Sequence, residues 1–186
     1  MHPGLSEFKQ LPKVDDDIIA IFSSRGITTI RKLQELSPQK YDALFGHRYD
    51  DEKAEIKRVL QSLPIFDFQV FIRRGSSGDR ESVRGGGNIS FNRNSDELEV
   101  SIRLLRGNPK AKIHAPKYHK TKVATYWLLV GSADSLICCR RVDAAQSESK
   151  VKVPANRLPT GGCVVHAEIV SDSMIGFSYS LSFNLQ

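Results

Sequence analysis

Residues 122–131 read Lys-Val-Ala-Thr-Tyr-Trp-Leu-Leu-Val-Gly and contain the only tryptophan of the chain. The run is short and rich in aromatic and branched residues, which favours a β-strand. Side chains alternate between the two faces of a strand, so Trp127 shares one face with Leu129, and Tyr126 shares the other with Leu128. Because both faces are apolar, we predict a central strand with Trp127 in the core.

Strand-like alternation recurs on both sides of this run. The clearest case is residues 177–185, where Phe, Tyr, Leu, Phe and Leu alternate with three serines and an asparagine. Residues 66–73 and 98–104 alternate in the same way, which buries one sheet face and exposes the other. About seven or eight such segments, separated by turn residues, predict an antiparallel β-sandwich. The glycine- and serine-rich residues 74–88 are interpreted as a loop.

The first third of the chain has helical periodicity instead. Ile18, Ile19 and Phe22 fall on one helical face, and the acids at 15–17 suit the positive end of a helix dipole. Gly26 is placed where a helix ends in the left-handed conformation. Further helices are predicted from residue 30, from Pro38 and over about residues 50–63, with Pro64 ending the last.

The charge distribution also divides the chain. Residues 1–65 carry ten basic and ten acidic side chains, whereas residues 66–186 carry 17 basic and 11 acidic, which accounts for the whole net charge of +6. We therefore predict an α+β protein with a helical domain at residues 1–64 and a β-sandwich at residues 65–186.

Several classes of function find no support in the sequence. No apolar run is long enough to cross a bilayer and no signal-peptide pattern is present, so we predict an intracellular protein with no membrane partner. The three cysteines have no zinc spacing and are expected to be buried structural thiols, and no metal or other cofactor is predicted. The glycines at 85–87 are not followed by Lys-Ser/Thr, which argues against a phosphate loop. We predict no catalytic residues.

One segment is a candidate for binding nucleic acid. Residues 106–122 contain six basic residues, no acid and one tyrosine. Such a segment could neutralise phosphates while the tyrosine stacks on a base; the alternative is a solvated connection between strands. Backbone amides near Gly26 are a further candidate contact. The predicted binding residues are Lys110, Lys112, Lys117, Tyr118, Lys120 and Gly26.

The order of these runs resembles the Sec-sixty-three unit of large superfamily-two RNA helicases. That family has an Ala-Pro-x-Phe-Pro-Lys-x-Lys run before its tryptophan strand, and this chain has Ala-Pro-Lys-Tyr-His-Lys-Thr-Lys at 115–122. The family's Trp-Trp-Leu-Val-Val-Gly is similar to residues 126–131. Its Lys-Arg-Val is similar to residues 140–142, and its Ser-Asp-Ser-Tyr-Leu-Gly to residues 171–176.

The first half resembles the helix-hairpin-helix segment of the same family, through Leu11-Pro12, the helix ending at Gly26, and residues 27–36. There are departures. The acidic stretch that follows the last motif in the family is absent, as are the family's larger helical bundle and all helicase motifs.

The resemblance implies a helix-hairpin-helix domain followed by an immunoglobulin-like sandwich. It also implies a non-enzymatic accessory and docking module at the C-terminal end of an ATP-dependent RNA helicase. The spliceosomal, small-nuclear-RNA-unwinding helicase is the preferred parent, in the nucleus. Expected partners are the helicase core of the same parent, spliceosomal or other ribonucleoprotein proteins, and RNA. The alternatives are a cytoplasmic ribosome-rescue helicase, a protein-translocation subunit and a free-standing nucleic-acid-binding protein.

Overall fold

Within the described residues, the helical part contains four helices, and a side-chain cap begins each of the first three. The computed structural model describes residues 6–46, 49–75, 77–108, 122–142, 148–153, 155–159, 162–174 and 176–186. The helices are α1 (Asp16–Ser24), α2 (Ile30–Gln34), α3 (Pro38–Asp42) and α4 (Asp50–Ser62). Asp15 accepts from the Ile18 N–H and Thr29 from the Lys32 N–H, which satisfies N–H groups that have no partner within the helix. Ser37 caps α3 in the same way, accepting from the Lys40 N–H, with the predicted Pro38 in the first turn.

Aromatic side chains form the centre of the helical core. Phe22 meets Phe8 with ring centroids 4.9 Å apart and Phe45 at 5.8 Å, both edge to face. Phe8 belongs to a short 3-10 helix, Glu7–Gln10, which precedes α1. On the predicted apolar face of α1, Ile18 and Phe22 are fully buried and Ile19 is partly buried; Ile30 of α2 is fully buried as well.

In the described part of the chain, nine strands form two mainly antiparallel sheets, as the alternation predicts. The strands are β1 (Ile65–Arg73), β2 (Arg80–Val83), β3 (Asn88–Ile89), β4 (Glu97–Arg106), β5 (Tyr126–Gly131), β6 (Leu136–Val142), β7 (Glu148–Val153), β8 (Cys163–Ser171) and β9 (Ser178–Leu185). One sheet has the order β2-β1-β4-β7 and the other β3-β9-β8-β5-β6, in which β3 pairs parallel to β9.

The inner faces of the two sheets meet in one core. Phe66 of β1 contacts Tyr126 of β5 across the core, with centroids 5.0 Å apart, and Tyr179 of β9 at 6.0 Å. Such packing makes the fold a small two-sheet sandwich with helices at one end. The buried side chains of the helices join the same hydrophobic cluster. The helix-to-strand change at 64–65 is therefore present, although the core is continuous across it.

The predicted core position of Trp127 is wrong. β5 lies between β8 and β6, as expected of an inner strand, but Tyr126 is 1% exposed and points inward, whereas Trp127 points outward and is only partly buried. Both faces of β5 are apolar, so alternation alone could not show which face the sandwich buries.

Two further expectations are corrected. Residues 74–88 are not simply a loop, because β2 lies within them and pairs antiparallel with residues 70–73 of β1. The cysteines also differ from one another: Cys138 is buried, Cys139 is exposed and Cys163 is intermediate. Cys138 and Cys139 face opposite sides of β6, as adjacent strand residues must.

A tight backbone contact attaches the helices to the sandwich. Gly107, at the end of β4, has φ +90° and lies against the end of α4, where a Cβ would meet the Leu63 carbonyl oxygen and the Pro64 Cα at 2.8 Å or less. The Asn108 N–H donates to the Ser62 carbonyl at 2.9 Å. Only glycine accepts both the positive φ and the close approach.

Candidate functional site

The predicted phosphate-binding residues can be located only in part. Lys110, Lys112, Lys117, Tyr118 and Lys120 lie outside the described residues. Gly26 has φ +71° and open space beside it, as the predicted C-cap requires. Its N–H, however, donates to the Ser23 carbonyl at 3.0 Å, and the Ile27 N–H donates to the Phe22 carbonyl at 2.9 Å. These two amides are therefore engaged in closing the turn.

The flanks of the basic segment lie at the end of the sandwich that carries the helices. Arg106 is exposed at the end of β4, where Asn108 bonds to the end of α4. Lys122 is exposed as well, and its Nζ lies 3.5 Å from the Asp172 carbonyl oxygen. Asp172 also makes two hydrogen bonds to Thr125. Its carboxylate accepts from the Thr125 N–H, and its own N–H donates to the Thr125 carbonyl. The basic segment thus starts and ends at the helix-bearing end.

The outer face of the four-stranded sheet is covered by paired charges. Glu99 is 4% exposed and is held by Arg80, whose guanidinium also lies 4.0 Å above the Phe71 ring. The other ion pairs on this face are Arg103–Asp67 (2.8 Å), Lys152–Glu97 (2.9 Å), Lys150–Glu148 (3.1 Å) and Arg73–Glu99 (3.8 Å). Lysine and arginine side chains that already pair with carboxylates are poorly available for binding phosphates.

A buried acid fixes the corner of the β1–β2 hairpin. Asp96 is 6% exposed and accepts from the Arg74 guanidinium at 2.8 Å and from the Asn92 N–H at 2.9 Å. Burial favours the neutral acid, but these hydrogen bonds outweigh it and hold the pKa of Asp96 below its usual value. Arg74 also pairs with Glu81. Because these hydrogen bonds occupy the Asp96 carboxylate, we assign Asp96 a role in stabilising the fold.

The outer face of the five-stranded sheet differs from the paired one. We call it the Trp127 face; Trp127 lies between Arg141 and Val170 of the adjacent strands, and Leu129 lies between Cys139 and Glu168. Val164, at 44% exposure, lies on the same face of β8, separated from Val170 by His166 and Glu168. Among the described residues, no side chain of this face makes an ion pair. Exposed aromatic and aliphatic side chains rimmed by polar residues are typical of a protein-binding surface.

Two grooves cross the Trp127 face on either side of Glu168. One, of about 390 Å³, is lined by Leu129, His166 and the β5–β6 turn. The other, of about 420 Å³, is lined by Val170, Lys122 and the β8–β9 turn. His166 Nδ1 lies 2.8 Å from Ser182 Oγ at the surface. Residue alternation places these side chains together, but only the sheet order shows that no described helix or strand covers them.

The described part of the chain contains neither a cluster of metal-binding side chains nor a membrane-spanning helix. No group of three or more His, Cys, Asp or Glu side chains there could hold a metal ion. No helix within the described ranges is long and apolar enough to span a membrane.

Comparison with known proteins leaves the family open. No protein-family model matches the chain, and the curated proteins contain no match to it.

Proposed function

We propose that this chain is a non-catalytic accessory and protein-docking module of a large ATP-dependent RNA helicase. The preferred parent is the spliceosomal helicase that unwinds small nuclear RNAs, acting in the nucleus. The observation that carries the docking role is the contrast between the two sheet faces. On the outer face of the four-stranded sheet, acidic and basic side chains form ion pairs with each other. The Trp127 face instead exposes aromatic and aliphatic side chains, and none of its described side chains makes an ion pair.

The strand order supports an immunoglobulin-like sandwich. In such folds one sheet contains strands A, B and E, and the other contains C, F and G. Here β1, β4 and β7 are adjacent in that sequence, and β5, β8 and β9 are adjacent in the other sheet. β2, β3 and β6 are then additions. Strand C carries a buried tryptophan in antibody domains; in β5 the buried aromatic residue is Tyr126.

The positions of the resembling motifs also support the proposal. Residues 171–174 of this motif begin at the last residue of β8, where Ser171 Oγ accepts from the N–H groups of Ser173 and Met174. Gly176 has φ +73° and packs against Glu7, whose carboxylate also accepts from the Ile30 N–H. This motif therefore contacts the helical part. In the helical part, α1 and α2 follow each other across the Gly26 turn, an order that supports the helix-hairpin-helix domain proposed from the resemblance.

The single tryptophan provides a direct test. The purified chain is titrated with the motor domains of the spliceosomal helicase, and with those of the ribosome-rescue relative as a second arm, while Trp127 emission is recorded. We expect saturable binding, with a blue shift as the partner covers the ring. Leu129→Lys, on the Trp127 face, is expected to weaken binding at least tenfold, whereas Gln69→Lys, exposed on the opposite sheet, is expected to leave it unchanged. Equal effects of the two variants, or no binding, would count against the proposal.

A free-standing nucleic-acid-binding protein is the second candidate. The basic excess of residues 66–186 favours it, as does the exposed pair Arg140 and Arg141. A fluorescein-labelled single-stranded RNA of 20 nucleotides is the probe, titrated at 50 and 200 mM salt. Tight binding with a steep loss at the higher salt, together with no affinity for either motor, would favour this second function.

A further inference from the structure

A small pocket lies where helices α2, α3 and α4 meet the end of β4. Its volume is about 130 Å³, which is below the roughly 300–1,000 Å³ of most small-molecule sites. Its floor is apolar, because Leu33, Tyr41 and Leu60 line it and are at most 5% exposed. Leu36 is partly buried beside them, and Pro38 is exposed. The pocket therefore has the size and the lining to accept one apolar side chain.

Two hydrogen bonds between helices hold the walls of this pocket in place. The Gln34 Nε2 donates to the Leu60 carbonyl oxygen at 3.2 Å, which ties α2 to α4. The Tyr41 hydroxyl donates to the Lys53 carbonyl oxygen at 3.0 Å, which ties α3 to α4. Because the walls are already fixed, a side chain that enters the pocket requires little further ordering of the protein.

The charged side chains that line the pocket are both basic. They are Lys57 of α4 and Arg106 of β4. Arg106 is exposed and makes no ion pair with any described residue. Lys57 shares a single carboxylate oxygen, Oδ1 of Asp42, with Lys53, at 3.5 and 3.4 Å respectively. One acid thus serves two lysines, and the pocket keeps an excess of positive charge.

The carboxylates of the adjoining groove are already paired. That groove shares only Gln34 with the pocket and is lined by Glu35 and Asp67. Glu35 pairs with Arg31 at 3.0 Å. Asp67 pairs with Arg103 at 2.8 Å. Neither carboxylate lines the pocket, so a partner that brings its own carboxylates is electrostatically complementary to it.

The apolar floor favours a protein partner over RNA. Single-stranded RNA binds largely by stacking its bases on exposed aromatic rings. Tyr41 is the one aromatic residue of the described lining, and it is 4% exposed. A base therefore has no ring to stack on, whereas an aliphatic side chain can enter the pocket and leave its backbone outside. Single side chains held in a well-packed pocket anchor many protein interfaces.

From these features we infer that the pocket binds an acidic segment of a partner protein. One aliphatic side chain of the segment enters between Leu33, Leu36 and Leu60. Carboxylates on either side of it pair with Lys57 and Arg106. The pocket shares no lining residue with the grooves of the Trp127 face, and docking here does not depend on the helicase assignment. Binding at either surface can therefore fail while the other holds.

Three synthetic pentapeptides, added to the ¹⁵N-labelled chain, test the pocket through its amide spectrum. They are acetyl-Asp-Asp-Leu-Asp-Asp-amide, the same peptide with asparagine in place of leucine, and acetyl-Lys-Lys-Leu-Lys-Lys-amide. We expect the first, at millimolar concentration, to shift the amide signals of Leu33, Leu36 and Leu60. The asparagine peptide keeps the charge but lacks the apolar anchor, and the lysine peptide repels the two basic side chains. Each of these two should therefore bind at least fivefold more weakly.

Two matched charge reversals separate the pocket from a general attraction of acidic peptides to a basic chain. Arg106→Glu changes the pocket, and Arg84→Glu makes the same change in net charge at an exposed position after β2. Both side chains are exposed, so the fold is expected to tolerate either change, and the amide spectrum reports whether it does. The acidic leucine peptide should bind Arg106→Glu at least fivefold more weakly than Arg84→Glu.

Four results would overturn the inference. The first is no shift of the pocket signals at millimolar peptide, and the second is equal binding of the leucine and asparagine peptides. The third is an equal effect of the two charge reversals. The fourth is tighter binding at the same signals by a single-stranded RNA of 20 nucleotides than by the acidic peptide, which would assign the pocket to nucleic acid.

Discussion

Adjacent residues of β5 provide the sharpest test of the sandwich. Tyr126 is 1% exposed and its ring packs against Phe66, at 5.0 Å between centroids, and Phe177, at 5.8 Å. Trp127, the larger ring, lies on the outer face and is partly buried. The structure therefore predicts that truncating the smaller aromatic residue costs more.

The expected magnitudes follow from burial. Replacing a buried aromatic residue by alanine costs about 3–5 kcal/mol of unfolding free energy, so we expect this for Tyr126→Ala. Trp127→Ala is expected to cost about 1–2 kcal/mol, because a partly exposed ring loses less contact. Tyr126→Phe is expected to be neutral or stabilising by up to about 1 kcal/mol, since the hydroxyl is buried without a hydrogen-bond partner among the described residues.

The assay is urea unfolding followed by far-UV circular dichroism, because one variant lacks the fluorescent residue. With a slope of roughly 2 kcal/mol per molar urea, Tyr126→Ala should lower the midpoint by about 2 M, and Trp127→Ala by less than about 1 M. If Trp127→Ala is as destabilising as Tyr126→Ala, the assignment of inner and outer faces is wrong.

Four further outcomes are expected. Gly107→Ala should lower stability by about 3 kcal/mol or more, because its Cβ overlaps the α4 terminus, while Gly78→Ala, with positive φ in open space, should cost only about 1 kcal/mol; thermal melts compare them. Hydrogen bonds lower the pKa of Asp96, so its contribution is present above the unfolded-state pKa and is lost as the pH falls through the lower folded value; acid unfolding curves of Asp96→Asn should lack this loss. The isolated chain should not hydrolyse ATP, and turnover that persists through further purification would contradict this. If the basic segment binds RNA, a charge reversal should weaken binding and flatten its salt dependence, and unchanged titrations would show that these residues bind no RNA; the residues to be changed to glutamate are Lys110, Lys112, Lys117 and Lys120.

Local features of the chain were predictable because neighbouring residues create them. Asp15, Thr29 and Ser37 cap helices within three residues of themselves. Gly26 ends α1 in the left-handed conformation because only a residue without a Cβ adopts it at little cost. The alternation at residues 177–185 shows one buried face of β9, and β9 buries Tyr179, Phe183 and Leu185.

The candidate surfaces were less predictable. The basic segment was identified from composition alone, and its lysines and Tyr118 fall outside the described residues. The Trp127 face was missed, because Trp127 was assigned to the core. The sequence also did not show that no described strand pairs with the outer edge of residues 65–69 of β1, since this depends on how far β2 extends beside it.

The sequence by itself determined the helix-to-strand order, the helix caps, the glycine turns and the charge asymmetry, since each arises from contacts or conformations within a few residues. Only the tertiary structure decided which face of β5 is covered, how Asp96 and Glu99 are neutralised, and where strand edges stay open. These depend on pairing between residues far apart in the chain, such as Val70 with Val83 and Trp127 with Val170. A strand with two apolar faces is equally compatible with either orientation until its partners exclude one.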